Sequence, residues 1–283
     1  MTTSATTSLP FRPGEPTSYA GLALIPLFAE NDPRLEYIGL DEAVAHGLKI
    51  SEVDEAGSVN DLVVRNPGDV GALLYEGEEL VGAKQNRVLE RSILIAPKSK
   101  TRITVNCVER GRWSYRSANF APAPRAAHPT GRYAARVGGQ GAVWSEIAAK
   151  SARLDAPSVT EAAEEMYRTR SHSLDQYLHA LPRRPGQCGT IVCLAGRVVC
   201  LDYVSRSEVF AGLYAKLLRG YALDAIENPV DRPVPDDYVR LLLTRLSRCE
   251  PVDGTLRGRG FIGNEISVDD EVVALSVFPT RRA

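Results

Sequence analysis

The sequence predicts an α+β protein: an antiparallel, β-rich and sandwich-like N-terminal half packed with a C-terminal half of helices on a small sheet. Between residues 70 and 113, short apolar runs alternate with polar turns, which is typical of consecutive strands joined as antiparallel pairs. From residue 142 onward, apolar residues recur at helical spacing, and one tight hairpin is expected at Ala195 and Gly196. Together these patterns indicate one fold class with two differently built halves.

The N-terminal half is predicted to be a series of strands interrupted by one short helix. The first strand, at residues 19–28, contains Pro26, which is typical of a sheet edge or a bulge. Asp41 caps the short helix and Gly47 ends it. Further strands are expected at residues 49–53, 62–65, 70–75, 92–95 and 102–107.

The C-terminal half combines helices with short strands. Val143, Trp144 and Ile147 share one face of a helix predicted at residues 142–154. Ser158, three residues before Glu161, has the pattern of a capping box and predicts a helix that runs to residue 168. Other helices are expected at residues 173–181, 207–226 and 236–248, and strands at residues 189–194, 197–204, 255–260, 265–268 and 272–278.

Composition divides the chain into four segments. Residues 1–17 are small and polar with scattered prolines, which predicts a disordered tail. Residues 18–116 form the β-rich half, and residues 141–283 form the half with helices and a sheet. Between them, residues 117–140 are rich in Ala, Pro, Gly and Arg without a sustained period, which predicts a long loop that acts as a lid or a connector.

Charge and cysteine usage limit the classes of partner. The formal net charge of the 283 residues is −1, so no strong field attracts nucleic acid or an anionic membrane, and neither partner is expected. The longest apolar runs are too short to span a bilayer, and the N-terminal residues lack the pattern of a signal peptide. Five cysteines, an odd number, argue against a disulfide framework and for a reducing compartment. The sequence therefore predicts a cytoplasmic protein.

A dense polar segment follows the strand at residues 70–75. Its first glutamates, Glu76 and Glu78, are expected to form a solvated acidic turn, whereas Glu79 opens a strand-like stretch and is an acid–base candidate. The next long side chains offer donors suited to phosphate, ribose or carboxylate groups: Lys84, Gln85, Asn86 and Arg87. On a regular strand only alternate members share a face, so Lys84 with Asn86, or Gln85 with Arg87, is the favoured pair. The alternative is an edge strand whose polar residues prevent self-association.

A second polar segment begins at Cys107 and continues to Trp113. Arginines near Cys107 favour a thiolate, so this cysteine is a candidate nucleophile; the alternative is a small buried apolar side chain, the commoner role of a free cysteine. Glu109 is a second acid–base candidate. Arg112 is suited to an anion and Trp113 to a flat ring.

Other motifs give weaker signals. The glycine-rich residues 138–141 precede a helix and offer backbone N–H groups to an anion, but they lack the Lys-Ser/Thr of a P-loop, which favours a linker. The cysteines at positions 188, 193 and 200 alternate with apolar residues and do not have zinc-site spacing. The sequence therefore identifies no metal-ligand set and no cofactor.

Two sequence blocks resemble the signature of the ADP-ribosylglycohydrolase- and rhodanese-phosphatase-associated protein domain family: EELVGAKQNR at residues 78–87 and CVERGRW at residues 107–113. The similarity continues at residues 187–189, 196–199 and 216–225 and extends from about residue 20 to the C-terminus. The resemblance implies that both halves belong to one family unit. The family name refers to neighbours in operons, so the resemblance also implies a role near ADP-ribose or phosphate-ester metabolism.

The first functional hypothesis is a polar site, built on both blocks, that binds a nucleotide-derived or ADP-ribose-like anion and, as a further step, hydrolyses it. The catalytic candidates are Glu79, Glu109 and Cys107, and the ligand-binding candidates are Lys84, Gln85, Asn86, Arg87, Arg112 and Trp113. Antiparallel pairing of neighbouring strands is expected to bring the two blocks together. The alternative hypothesis is a non-catalytic scaffold or regulatory module that binds a protein partner. The oligomeric state stays open.

Overall fold

The computed structural model describes residues 8–280. The predicted α+β class is confirmed, with a strand-rich N-terminal half. The strands of the described residues are β1 Phe11–Pro13, β2 Thr17–Tyr19, β3 Leu22–Ala29, β4 Tyr37–Gly39, β5 Lys49–Glu52, β6 Asp61–Asn66, β7 Gly71–Leu74, β8 Glu78–Gly82, β9 Arg87–Leu89, β10 Ile93–Ile95, β11 Ser99–Cys107, β12 Phe120–Ala126, β13 Gln187–Leu194, β14 Arg197–Val204, β15 Thr255–Gly258, β16 Phe261–Val268 and β17 Glu271–Pro279. The helices are α1 Leu40–Ala45, α2 Pro129–Arg153, α3 Glu164–Thr169, α4 Ser171–Ala180, α5 Ser207–Ala225 and α6 Asp236–Leu246.

The chain divides into two compact units, and the first combines residues 8–35, Leu181–Ala211 and 228–280. Its eight-stranded sheet has the order β1-β3-β13-β14-β17-β16-β15, with β2 also paired to β3. The predicted hairpin of β13 and β14 is present, and its turn residues Ala195 and Gly196 have φ values of 47° and 75°. β3 lies inside this sheet, and Pro26 lies between the stretches that pair with β1 and β2. A residue without an N–H group is tolerated at such a break.

The second unit combines Glu36–Ala180 with Gly212–Glu227. Six of its strands close into a barrel in the order β11-β6-β5-β12-β8-β9, and β10, β7 and β4 form a separate small sheet. Strand β11 pairs with β6 along its first part and with β9 at its end, which closes the barrel. Strand alternation does not encode such closure, and so the arrangement differs from the sandwich that the pattern suggested. Fully buried aliphatic side chains fill this unit, among them Ile50, Leu62, Val64, Leu80 and Val105.

The prediction of a long loop at residues 117–140 is wrong. Strand β12 and the first half of helix α2 occupy most of it. The pairing of β12 with β8 shifts register between Pro122 and Ala126, because prolines cannot donate to a regular ladder. Helix α2 is kinked at Gly139, whose φ of 62° and ψ of −161° are not helical. Because the strand contains a bulge and the helix a kink, residues 117–140 do not show the regular spacing of a strand or a helix, and the sequence predicted a loop.

The disordered tail predicted at residues 1–17 is partly wrong. Residues 1–7 lie outside the described residues, but β1 pairs with β3 in the segment that follows. Phe11 is buried, and its ring centroid lies 5.1 Å from that of Tyr203. The end of the predicted tail is therefore part of the first unit's sheet and core.

Candidate functional site

The acidic turn between β7 and β8 is buried, and the expectation that Glu76 and Glu78 form a solvated turn is wrong. These two residues and Glu79 are each 1% exposed. Buried carboxylates need a compensating charge or hydrogen bond. Each one meets a cation from a distant part of the chain: Glu76 with Arg136, Glu78 with Lys216 at 2.8 Å, and Glu79 with Arg125 at 2.7 Å.

Burial and the ion pair with Arg125 act in opposite directions on the pKa of the Glu79 carboxyl group. Burial raises the pKa of Glu79, and the nearby charge and hydrogen bond of Arg125 oppose this effect without cancelling it. A raised pKa is one of the properties that suit a carboxyl group to proton transfer. Of the two proposed acid–base residues, Glu79 alone has this property, as the pKa of Glu109 below shows.

The polar run at residues 84–87 lies in and just after the loop of the β8–β9 hairpin. Gly82 and Ala83 enter this loop with φ values of 120° and 35°, so the backbone leaves the strand geometry there. A loop explains why the segment fits neither the helical nor the strand period. All four long polar side chains are nevertheless buried: Lys84, Gln85, Asn86 and Arg87.

The Lys84 side chain connects this loop to the segment that contains Glu55 and Ala56. Its Nζ donates hydrogen bonds to the backbone carbonyls of Glu55 at 2.5 Å and Ala56 at 2.7 Å. The same ammonium lies 5.3 Å from the ring centroid of Trp113 and 5.1 Å from that of Tyr115. Cation–π contacts of this kind stabilise both rings. The Lys84 charge therefore positions two aromatic side chains.

Gln85 and Arg87, one of the two pairs that the sequence favoured, contact each other directly. The Arg87 guanidinium donates to Gln85 Oε1 at 2.8 Å and to the carbonyl of Ser58 at 3.3 Å. It also lies 5.6 Å from the Trp113 ring centroid. Arg87 is 0% exposed, and burial lowers its pKa. Gln85 thus holds the Arg87 guanidinium, which packs beside the Trp113 ring.

The two signature blocks meet through Asn86, Arg112 and Glu109. Asn86 Oδ1 accepts a hydrogen bond from Arg112 at 3.2 Å, and Glu109 Oε2 accepts from Arg112 at 2.7 Å. The backbone N–H of Asn86 donates to the same Glu109 oxygen at 3.2 Å. The register explains this meeting: Cys107 of β11 lies opposite Arg87 of β9, so the residues beyond each strand end are neighbours. The expected convergence of the blocks is confirmed.

The hydrogen bonds of Arg112 and Glu109 are directed at protein groups. Arg112 also donates to the carbonyls of Ala83 at 2.7 Å and Ser114 at 2.8 Å. Glu109 Oε1 accepts from Thr160 at 3.0 Å. Burial alone raises the pKa of Glu109, but the hydrogen bonds from Arg112, the Asn86 backbone and Thr160 outweigh it, and the pKa is lowered. The charges of Arg112 and Glu109 thus join two loops.

Cys107 occupies the end of β11 and is 0% exposed. Its backbone N–H donates to Gln140 Oε1 at 2.6 Å and its carbonyl accepts from Gln140 Nε2 at 2.9 Å, so a side chain from the kinked part of α2 extends the strand's hydrogen bonding. Burial raises the pKa of the Cys107 thiol in spite of the charge of Arg87. These properties are those of a buried structural cysteine rather than of an activated thiolate.

The solvent-facing part of the two blocks is aromatic and cationic. Trp113 is 45% exposed and Tyr115 is 53% exposed. An open surface cavity of about 510 Å³ is lined by Tyr115, Arg116, Ser117 and Ala118. The Arg116 side chain is 55% exposed, and one of its nitrogens lies 3.5 Å from Glu109 Oε1. We call Trp113, Tyr115 and Arg116 the aromatic surface.

Several residues of this region were missed in the sequence. Tyr115 and Arg116 lie just after the second block, and alternation with Trp113 is the one signal that indicates Tyr115. Arg125 lies in a segment without periodicity. Thr160 and Glu164 lie beyond helix α2, far along the chain from the two sequence blocks. The hydrogen-bond partners of these three residues are Glu79, Glu109 and Asn86, which lie 46, 51 and 78 residues away, so no local pattern reveals the contacts.

Two classes of feature were also sought in the described residues. No group of three or more His, Cys, Asp or Glu side chains within residues 8–280 is placed to hold a metal ion. None of the helices described there has the length and apolar character needed to cross a membrane.

Comparison with known proteins gives one informative result. Residues 10–278 match the family model described as ARG and Rhodanese-Phosphatase-superfamily-associated Protein domain, which confirms the resemblance of the two sequence blocks. The association with these superfamilies points to an ADP-ribose-related context. No curated protein and no solved structure matches the chain.

Proposed function

We propose that this chain, which belongs to the ARG and Rhodanese-Phosphatase-superfamily-associated Protein domain family, binds a nucleotide-derived, ADP-ribose-like anion at its aromatic surface. The observation that carries the proposal is the combination of two exposed rings with an exposed guanidinium beside an open cavity. The rings belong to Trp113 and Tyr115, and the guanidinium to Arg116.

The chemistry of the aromatic surface suits such a ligand. An indole or phenol ring stacks on a flat base, and a guanidinium binds phosphate oxygens through two parallel N–H groups. The cavity lined by Tyr115 and Arg116 is open to solvent, so a ligand can reach both side chains directly. In this proposal Trp113 and Tyr115 bind the base and Arg116 binds a phosphate.

The buried members of the two blocks have a supporting role in this proposal. Lys84 and Arg87 lie beside the Trp113 ring, while Asn86, Arg112 and Glu109 hold the loop that leads to Arg116. Side chains fixed in this way lose little conformational freedom when a ligand binds. In this proposal Arg116, rather than Arg112, contacts the ligand directly, and Trp113 stacks on its base.

A hydrolytic step remains a prediction, and Glu79 is its best-supported acid–base residue. Burial raises the pKa of Glu79, whereas hydrogen bonds lower that of Glu109. The raised pKa of Cys107 opposes a thiolate mechanism. Incubation of the protein with ADP-ribose, followed by separation of the nucleotide products, tests this step.

A protein partner is the second candidate, and the exposure of Trp113 and Tyr115 favours it. Exposed aromatic side chains and arginine are enriched among the residues that dominate protein interfaces. The two candidates differ in ligand size, so the same variants discriminate between them.

Calorimetric titration with ADP-ribose, ADP and ribose 5-phosphate tests the proposed function. Trp113→Ala and Arg116→Ala are each expected to weaken ADP-ribose binding at least about tenfold, since each removes a stacking or charged contact. Arg168→Ala is the matched control, because Arg168 is exposed and pairs with Glu165 elsewhere. Absence of binding to wild-type protein, or equal binding by all variants, contradicts the proposal and leaves the protein-partner candidate.

A further inference from the structure

A second set of donors lies apart from the aromatic surface, around Arg125 of β12. Arg125 Nε donates to Glu79 at 2.7 Å, and the guanidinium lies 5.4 Å from the ring centroid of Tyr167. The Tyr167 hydroxyl in turn donates to the carbonyl of Ala126 at 2.8 Å. The Arg125 side chain is 6% exposed. Its position is therefore fixed by a carboxylate on one edge and a ring on one face.

The other edge of the Arg125 guanidinium is poorly satisfied. Its NH1 nitrogen lies 3.6 Å from Glu164 Oε1, which is too long for a hydrogen bond. Its NH2 nitrogen is buried and has no hydrogen-bond partner among the described residues. Unsatisfied buried donors are uncommon because the lost solvation is costly. This edge is therefore available to an acceptor.

Asn86 presents a third donor to the same place. Its Oδ1 accepts from the Gly82 backbone at 3.2 Å and from Arg112 at 3.2 Å, which fixes the orientation of the amide. Its Nδ2 consequently faces Glu164 Oε2, at a distance of 3.5 Å. The Glu164 carboxylate thus spans Arg125 and Asn86 with long contacts, and its side chain is 44% exposed.

We propose that Arg125 and Asn86 form a phosphate-binding site and that Glu164 occupies it in the ligand-free protein. Arg125 NH1 and Asn86 Nδ2 both face the Glu164 carboxylate, and the unpaired Arg125 NH2 on the same guanidinium is the third donor. In its observed position the Glu164 carboxylate lies near Arg125 NH1 and Asn86 Nδ2 and leaves Arg125 NH2 without a partner. A tetrahedral phosphate has four oxygens and can present a separate acceptor to each of the three donors. The half-exposed Glu164 side chain rotates into solvent when phosphate enters.

Glu79 is a positioning residue of this site. Its hydrogen bond at 2.7 Å holds Nε of Arg125, while NH1 of the same guanidinium lies on the side of Glu164. Arg125 keeps its positive charge, because the carboxylates of Glu79 and Glu164 raise its pKa against the effect of burial. The inference does not depend on the aromatic surface, since none of the three donors belongs to it.

Binding of inorganic phosphate to Glu164→Gln tests the site. The substitution keeps the size of the side chain and removes the competing charge, so the affinity for phosphate is expected to rise at least about tenfold over wild type. Acetate at the same ionic strength is expected to bind more weakly, because it has fewer acceptor oxygens and less negative charge than phosphate. Calorimetric titration measures both affinities, and Glu164→Ala repeats the test without the amide.

Two matched variants separate the site from general electrostatics. Glu165→Gln removes the same charge from the next residue of α3, where Glu165 pairs with Arg168, and its phosphate affinity is expected to equal that of wild type. The double variant Glu164→Gln with Arg125→Lys keeps a positive charge beside Glu79 but replaces the planar guanidinium with an ammonium group. Its phosphate affinity is therefore expected to fall back to that of wild type. Equal phosphate binding by Glu164→Gln and Glu165→Gln, or retention of the gain with Lys at position 125, overturns the inference. Trp113→Ala is expected to bind phosphate as wild type does, even where it loses ADP-ribose binding, because Trp113 is not one of the three donors.

Discussion

Asn86 Oδ1 accepts a hydrogen bond from Arg112 at 3.2 Å, and this contact joins residues 26 positions apart in sequence. Arg112 reaches Glu109 from the same nitrogen at 2.7 Å, so one buried guanidinium connects the β8–β9 loop to the segment after β11. Both the stability of the second unit and the placement of the aromatic surface depend on this link.

Loss of Arg112 is expected to destabilise the protein strongly. Arg112→Met leaves the buried Glu109 carboxylate without its main partner, and the free energy of unfolding is expected to fall by about 3–5 kcal/mol. Urea denaturation measures the change. Arg116→Met is the control, because this guanidinium is exposed and its loss is expected to cost at most about 1 kcal/mol. Similar effects of the two substitutions contradict a structural role for Arg112.

The Glu109–Arg112 coupling is measurable on its own. Glu109→Gln combined with Arg112→Met removes both charges, so the double variant is expected to be more stable than the sum of the single losses implies. Strict additivity of the two free-energy changes is the result that speaks against a direct interaction.

The stability that Glu109 contributes is expected to depend on pH. Its folded-state pKa is lowered below the ordinary value of 4.5, so the contribution is complete above that pH and is lost as the pH falls through the lowered folded pKa. The difference in free energy of unfolding between wild type and Glu109→Gln is therefore expected to be largest near neutrality and to shrink in acid. Denaturation series between about pH 3 and pH 7 measure it. A difference that grows in acid has the wrong sign.

Thiol reactivity distinguishes the five cysteines. Cys107, Cys188, Cys193 and Cys200 are buried, whereas Cys249 is partly exposed. Burial raises the pKa of Cys193 to about 12 and also raises that of Cys107. A thiol reagent is expected to modify Cys249 first in the folded protein, and Cys249→Ser is expected to remove this fast phase. Rapid modification of Cys107 instead supports the nucleophile hypothesis.

Removal of β1 is expected to lower the melting temperature. A disordered tail at residues 1–17 would be dispensable for stability, but a chain that begins at Ser18 lacks the buried Phe11 side chain, which packs near Tyr203. Phe11→Ala is expected to cost about 3 kcal/mol, since it empties a buried aromatic position. Arg12→Ala, an exposed change on the same strand, is the control. Unchanged melting of the Phe11 variant restores the dispensable-tail prediction.

The sequence predicted those features that depend on local order. Alternation identified β11, and antiparallel pairing of neighbouring strands brought Asn86 next to Arg112. The hairpin at Ala195 and Gly196 followed from its turn residues. These features need only nearby residues, which is why strand and turn patterns reveal them.

The remaining features depend on distant partners or on broken periodicity. Burial of Glu78 depends on Lys216, which is 138 residues away, so local sequence indicates only a solvated turn. Arg125 lies in a strand whose prolines disturb its pairing, and its place in the proposed phosphate-binding site depends on contacts with Glu164, which also contacts Asn86. Tertiary ion pairs are thus the part of this site that no local pattern encodes.

The two tryptophans of the chain, Trp113 and Trp144, allow one direct test of ligand binding at the aromatic surface. In a ¹⁵N-labelled sample each indole N–H gives a separate resonance, and Trp113→Phe assigns them. Titration with ADP-ribose is expected to shift the Trp113 resonance progressively to saturation, because a stacked base changes its magnetic environment, while the Trp144 resonance moves less. A Trp113 resonance that stays in place at saturating ADP-ribose, or a shift confined to Trp144, contradicts the proposed site.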